Sequence, residues 1–402
     1  IMIALSDIQT AANRIQKHIL ATPLVFSQAF SQMFGGDVYL KMENLQKTGS
    51  FKARGAMNLI LALRDQIPQN GVVAASAGNH AQGVALAARQ AGLPATIVMP
   101  VGSSISKQEA TRNYGGQVLL EGQTVSESLL VARKLANDGR MFIHPFDDPL
   151  IMAGQGTVAL EILQTLPDVD RVMIPVGGGG LIAGMAVALK ALKPAITITG
   201  VQAAVCPSAV EAMRKGRVVE VPAATSIADG IAVRQTGAGP FAIIHGQVDE
   251  LVAVGEEQIA AAILLLMERK KNVAEGAGAV ALAALLSNAV GLKPGEKTVL
   301  LISGGNLDSP LLGRIIRKGL IQSGRIMRVN VMLPDVPGAL ARLLNQVADH
   351  KANVLHIHHN RSRRDFPVHV TAVELELETR GEGHVVEIES ALRDAGYTLI
   401  FC

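Results

Sequence analysis

Cysteine is scarce. Only Cys206 and Cys402 occur in 402 residues, which excludes a disulfide framework or a cysteine-based zinc site and fits a reducing, cytoplasmic setting. There is no long basic stretch, and the formal net charge is only +3 at pH 7, so nucleic acid is not an expected partner. The longest apolar run, Ile259 to Met267, is well short of the roughly 20 residues a membrane-spanning helix needs. Residues 1–20 are amphipathic, with neither the basic start nor the small-residue cleavage site of a signal peptide. What the chain has in quantity is apolar side chain, 49% against 18% charged. That is enough for a sizeable core, at a length that suits two or three domains.

From Val38 to about Leu320, short apolar runs alternate with helix-length segments. Val38–Met42, Val72–Ala75, Ala95–Met99, Gln117–Leu120 and Met141–Ile143 read as strands, and so do Arg171–Pro175, Ile196–Val201, Leu251–Val254 and Thr298–Ile302. Phe51–Arg64, Gly78–Ala91, Val125–Asn137 and Ile151–Leu166 read as helices. Repeated strand–helix–strand implies an α/β fold with parallel-rich sheet, in one sheet or two. After Gly324 the texture changes. Arg325–Leu333, Val354–His359, Pro367–Glu378 and Tyr397–Phe401 read as strands, with helices at Ala339–His350 and Val385–Ala395. That order, β-α-β-β-α-β, is ferredoxin-like. The expected division is 1–322, with a smaller α/β lobe at about 48–148, and 325–402.

Four polar or glycine-rich turns follow predicted strands, the edge where α/β sheets bind ligands. The first, Thr48-Gly49-Ser50-Phe51-Lys52, opens a helix. A lysine at a helix start is usually solvated, but in an apolar cleft it can lose its proton and form an imine with an aldehyde. The second is Ser76-Ala77-Gly78-Asn79-His80, whose backbone N–H groups at a helix start suit a carboxylate; Asn79 could equally be a plain cap. The third, Gly177-Gly178-Gly179-Gly180, lets backbone wrap closely around an oxyanion such as phosphate. It lacks both the dinucleotide-fold spacing and the Lys-Ser/Thr ending of a P-loop. The fourth, Ser303-Gly304-Gly305-Asn306, offers a hydroxyl for a heterocyclic nitrogen or for a cap. Amine, carboxylate cradle, phosphate cradle and hydroxyl are together what a pyridoxal-phosphate site requires.

The stretch Lys41-Met42-Glu43-Asn44-Leu45-Gln46-Lys47-Thr48-Gly49-Ser50-Phe51-Lys52-Ala53-Arg54-Gly55 resembles the signature of the threonine/serine dehydratases. These are pyridoxal 5′-phosphate enzymes of the two-lobed tryptophan-synthase-β-like fold. The loops at Ser76, Gly177 and Ser303 recur in the family's order, and the resemblance covers roughly residues 5–320. It implies that Lys52 is the Schiff-base lysine and the base at Cα, with Phe51 beside it. It implies Asn79 at the cofactor's 3′ oxygen, Gly177, Gly178, Gly179, Gly180 and Leu181 around the phosphate, and Ser303 at the pyridine nitrogen. The loop Ser76, Ala77, Gly78, Asn79, His80 would receive the substrate carboxylate. The implied reaction takes L-threonine to 2-oxobutanoate, or L-serine to pyruvate, with release of ammonia. Racemases of the group carry serine where Ala77 stands, and alanine cannot transfer a proton, so racemisation is the weaker reading. A β-replacement synthase fits the lysine-flanking sequence less well, and a non-catalytic amino-acid sensor would not need the intact Lys52. The tail resembles an ACT regulatory module in Asp335-Val336-Pro337-Gly338-Ala339-Leu340, as in the medium-length threonine ammonia-lyases. By that resemblance it would bind isoleucine or valine within a homo-oligomer, a dimer or tetramer.

Several residues read two ways. Glu275 could face the cofactor ring or simply end a helix, and Phe146 could line the pocket or belong to the core. His356, His358 and His359 invite a metal, but 356 and 358 share a strand face with no evident acidic partner, so solvation is the better reading. Family members that bind a divalent ion use carboxylates where Gln202 and Ser208 lie here, so no metal site is expected. Cys206 reads as a small packing residue.

Overall fold

The computed structural model describes residues 3–222, 224–360 and 369–401. Helix α1 (Leu5–Ile15) leads to β1 (Leu24–Phe26), α2 (Gln28–Phe34), β2 (Asp37–Met42) and α3 (Lys52–Ala62). Strands and helices then alternate: β3 (Val72–Ala75), α4 (Asn79–Ala91), β4 (Ala95–Met99), α5 (Ile105–Asn113), β5 (Gln117–Leu120), α6 (Val125–Asn137) and β6 (Met141–Phe142). Next come α7 (Pro149–Thr165), β7 (Arg171–Pro175), α8 (Gly180–Leu192), β8 (Thr197–Ala203), α9 (Ser208–Lys215), α10 (Ala238–Gln247), β9 (Glu250–Val254), α11 (Glu256–Lys270), α12 (Gly276–Leu286) and β10 (Lys297–Ile302). These elements form one unit, up to Asp308.

The unit holds two sheets. The larger has the order β1-β2-β10-β7-β8-β9 and the smaller β5-β4-β3-β6. All pairings are parallel except β1 with β2. Every residue of β3 and β4 is buried, as expected of strands covered on both faces, and this is why they read as unbroken apolar runs. Local signals set the helix ends. Thr124 accepts from Glu127 N to start α6, Asp148 with Pro149 starts α7, and Gly92 at φ 73° stops α4.

Helix α7 serves both lobes. Its Ile151 belongs to the small-lobe core, with Ile60, Val84 and Ile97. Its Met152, Val158 and Ile162 belong to the large-lobe core, with Ile182, Met185 and Val299. Glycines bring its neighbours close: a methyl on Gly154 would lie 2.7 Å from Arg54 O, and one on Gly184 2.0 Å from Met152 O.

The second unit starts at Ser309, earlier than the division at 322–325 read from the sequence. Helix α13 (Ser309–Gln322) therefore falls in the C-terminal unit. β11 (Ile326–Pro334), α14 (Ala339–Asp349), β12 (Asn353–Asn360), β13 (Val370–Glu378), α15 (Glu382–Asp394) and β14 (Thr398–Phe401) follow. Their sheet, in the order β12-β13-β11-β14, is antiparallel. Val329, Val331, Val373 and Leu375 face Leu343, Val347, Ile388 and Leu392 of the two helices. Pro367 and Val368, at the start of one expected strand, and Cys402 lie outside the described residues. Among the described residues, no helix is long and apolar enough to cross a membrane.

Candidate active site

The four turns stand at the carboxyl ends of β2, β3, β7 and β10, and three of them are laced together. Phe51 N donates to Ser303 O at 3.1 Å and Gly305 N to Gly49 O at 2.9 Å, while Ser50 and Gly304 form an isolated antiparallel bridge. Asn306 Nδ2 donates to Thr48 O at 2.8 Å and to Asn79 Oδ1 at 2.6 Å. Asn79 Nδ2 in turn donates to Glu275 Oε1 at 2.6 Å. The fourth turn is reached through the loop His144–Asp148. Lys52 Nζ donates to Pro145 O at 2.8 Å, and the next residue, Phe146, packs on the glycines. A methyl on Gly178 would sit 2.3 Å from the Phe146 ring, and one on Gly180 2.6 Å from Phe146 O. Gly179, at φ 94°, takes a conformation that disfavours any side chain. The first-turn N–H groups of α8, from Gly180 and Leu181 onward, have no partners within the helix.

Electrostatics single out three groups. Burial depresses the Lys52 amine to about 8, with the nearby Glu275 charge opposing the shift. Burial raises Glu275 to about 7, assisted by Asp229 and opposed by the Asn79 hydrogen bond and by Lys107. Burial takes His80 down to about 3, with the Lys52 charge adding to the effect. His80 is therefore neutral, and its Nε2, 3.0 Å from Ile143 O, carries the proton. Ser76 Oγ accepts from Gly78 N at 3.1 Å, folding the second turn back on itself. Ala77 lies in that turn, partly buried. Ser303 Oγ makes one long contact, 3.4 Å to Ala277 O.

Lys41, Glu43 and Arg54 lie in the signature stretch, which by itself implies no role for them. They form a buried ion network. Arg54 Nε and Nη2 reach Glu43 at 2.8 and 2.7 Å, and its Nη1 reaches Glu161 at 2.7 Å. Lys41 Nζ donates to Glu161 at 2.5 Å and to Thr22 O at 2.7 Å. Burial works against the Glu43 charge, but Arg54 outweighs it and holds that carboxyl below its ordinary value. Two cations face two carboxylates, and Arg54 is two residues from Lys52 on α3, so the network fixes the start of that helix.

Phe146 is partly buried and stands edge-on to His144, with ring centroids 4.8 Å apart; it packs beside the glycine turn. Asp147, passed over in the sequence, accepts from Ala238 N and Gly239 N at 3.0 and 3.1 Å and so caps α10 from a distant loop. Gln202 and Ser208 are buried and hydrogen-bonded: Gln202 Oε1 accepts from Ala209 N and Val210 N. Cys206 is buried, with a free thiol. In the tail, His356 and His358 lie opposite Glu376 and Glu374, partners the sequence did not reveal. Both glutamates are engaged by Arg328. No cluster of three or more metal-ligating side chains occurs among the described residues.

The site suits pyridoxal phosphate on observations of its own. It holds an amine with a depressed pKa and a glycine turn with no room for side chains. Buried hydroxyls at Thr48 and Ser50 lack hydrogen-bond partners. Comparison with known proteins agrees. The family model described as pyridoxal-phosphate dependent enzyme matches residues 15–304. An L-threonine ammonia-lyase of Thermotoga maritima is 50% identical over 397 residues, 98% of each chain. A solved threonine deaminase of T.th. has a TM-score of 0.72 at 41% identity, over 76% of this chain and 99% of that one. A solved maize serine racemase has a TM-score of 0.75 at 33% identity, over 80% and 99%.

Proposed function

The chain belongs to the pyridoxal-phosphate dependent enzyme family, and from that premise we propose that it is a threonine ammonia-lyase, converting L-threonine to 2-oxobutanoate and ammonia. One observation carries the reading: the buried Lys52 Nζ donates to Pro145 O, next to the Phe146 that packs on the glycine turn, while Phe51 N beside it donates to Ser303 O.

When bound, the cofactor supplies an aldehyde for the substrate amine and an electron-withdrawing ring. Gly177–Leu181 would hold its phosphate, Asn79 its 3′ oxygen and Ser303 its pyridine nitrogen, with Phe51 alongside. A serine hydroxyl does not hold that nitrogen protonated, which tempers electron withdrawal and favours elimination over transamination. The Ser76–His80 turn orients the substrate carboxylate, using N–H groups at the start of α4. Lys52, with its amine shifted towards the neutral form, takes the Cα proton, and the β-hydroxyl leaves as water with a proton that the cofactor phosphate would supply when bound. Water then displaces ammonia, so the overall change is a deamination. The opposite side of Cα meets no second proton donor at Ala77, which supports elimination over racemisation.

The C-terminal unit is read as an ACT-like module that binds isoleucine or valine and alters the rate within a homo-oligomer. Its support is the β11–α14 turn, where Gly338 at φ 83° caps the helix. L-Serine is the second substrate this site would accept, and the cytoplasm is the compartment assigned.

The test is 2-oxobutanoate formation from L-threonine by wild type and Lys52→Ala. We expect loss of activity with unchanged far-ultraviolet circular dichroism. Turnover above a few per cent of wild type, without added amine, would overturn the assignment of Lys52.

A further inference from the structure

Helix α5 belongs to the small lobe yet is tied to the large lobe at one end and to the Lys52 loop at the other. At its start, Lys107 Nζ lies 2.9 Å from Asp229 and 3.9 Å from Asp308. Ser104 and Ser106 donate to the same Asp308 at 3.2 and 2.9 Å. At its end, Tyr114 Oη donates to Lys47 O at 2.7 Å, in the segment that leads to Lys52. Both acidic partners belong to the site's margin. Asp229 opens the turn Asp229–Ile231, and a methyl on Gly177 would lie 3.0 Å from Ile231 Cα. Asp308 ends the segment that begins at Ser303.

Helix α5 also packs on α4, whose start carries Asn79 and His80. A methyl on Gly116, just after α5, would lie 3.0 Å from Ala85 Cβ of α4 and 3.0 Å from Thr111 of α5. Helix α5 thus bears on the helix that begins in the Ser76–His80 turn.

Resting on the reaction assigned above, we propose that α5 clasps the small lobe closed over the substrate, and that Lys107 is its positioning residue, holding the Ser76–His80 cradle in register with Lys52. Lys107 touches neither substrate nor cofactor. Its two carboxylates keep it cationic although burial opposes this. Its side chain is 18% exposed, against 61% for Asp229 and 33% for Asp308, so the clasp lies at the rim of the cleft. Rim contacts of this kind shift an equilibrium by up to about fivefold each. That is enough to bias closure without locking it. A less populated closed state weakens apparent substrate affinity in proportion and leaves the saturated complex largely unaffected.

The experiment uses full-length holoenzyme. Lys107→Ala is expected to raise KM for L-threonine about fivefold and to change kcat by less than about twofold. Lys107→Arg should restore KM. The Asp229→Asn/Asp308→Asn pair should reproduce Lys107→Ala, and adding Lys107→Ala to that pair should change KM no further. Raising salt should raise KM of wild type but not of Lys107→Ala. Amide hydrogen exchange along α5, measured without substrate, should quicken in Lys107→Ala and return to the wild-type rate in Lys107→Arg. A KM unchanged in Lys107→Ala, or a rise that Lys107→Arg fails to reverse, overturns the clasp. If wild type does not deaminate threonine at all, the assigned reaction fails. The clasp is then decided by exchange alone: unchanged rates in α5 refute it, and faster rates at an unaltered melting temperature sustain it.

Discussion

The Glu275 carboxyl is raised to about 7, first by burial and then by Asp229. A raised pKa means the native state binds this proton more tightly than the unfolded chain does. The associated stability is full below the ordinary glutamate value of 4.5 and is lost as pH rises through about 7. Glutamine imitates the protonated form. Glu275→Gln should therefore gain on wild type between about pH 5 and pH 7, by on the order of 3 kcal/mol, in urea unfolding of the apoprotein. A difference that stayed flat with pH would contradict the assignment. Gly178 makes a second prediction at this scale. Gly178→Ala drives a methyl into the Phe146 ring and displaces the loop whose Pro145 carbonyl holds Lys52. It should lose pyridoxal phosphate on dialysis, and Phe146→Ala added to it should restore part of the retention. The sequence could mark Gly178 as part of a phosphate turn. It could not show Phe146 pressed against it, because nothing local encodes the meeting of two loops. Glu275 and Asn79 are likewise 196 residues apart.

At the scale of elements, what is buried on both faces was legible. Val72–Ala75 and Ala95–Met99 read as apolar runs and fold as β3 and β4, and the helix-length segment Val125–Asn137 folds as α6 with the same bounds. Strand β1 was missed because three residues, Leu24–Phe26, carry no measurable alternation. Helix α13 reads with the first domain because the Gly/Asn/Asp stretch before Ser309 reads as a ligand turn, and the alternation pattern changes only after Gly324. Capping from a distance was equally invisible. Asp147 starts α10 across 91 residues, and Gly237 N then donates to Gly178 O at 3.0 Å, so this cap also steadies the glycine turn. Asp147→Ala should cost about 1 kcal/mol of stability in urea unfolding and should weaken retention of the cofactor. Asp147→Asn, which keeps an acceptor, should cost less on both measures.

For the whole molecule, the tail's own core, from Val329 and Val373 to Ile388, makes it a separate platform. If that platform carries the effector site proposed above, isoleucine or valine should give measurable heat on titration into the full-length protein and should shift KM or kcat for threonine. Silence in both would leave the tail a structural module. The first unit is a different case, because its two sheets share α7. Ile151 sits in one core and Met152 in the other, and Gly154 and Gly184 leave no slack between α3, α7 and α8. Neither lobe can melt without stripping α7 from the other. Two sheets with separate cores would suggest two thermal events. The shared helix instead makes them one cooperative body, and for this unit the calorimetric enthalpy of unfolding should equal the van't Hoff enthalpy of a single transition.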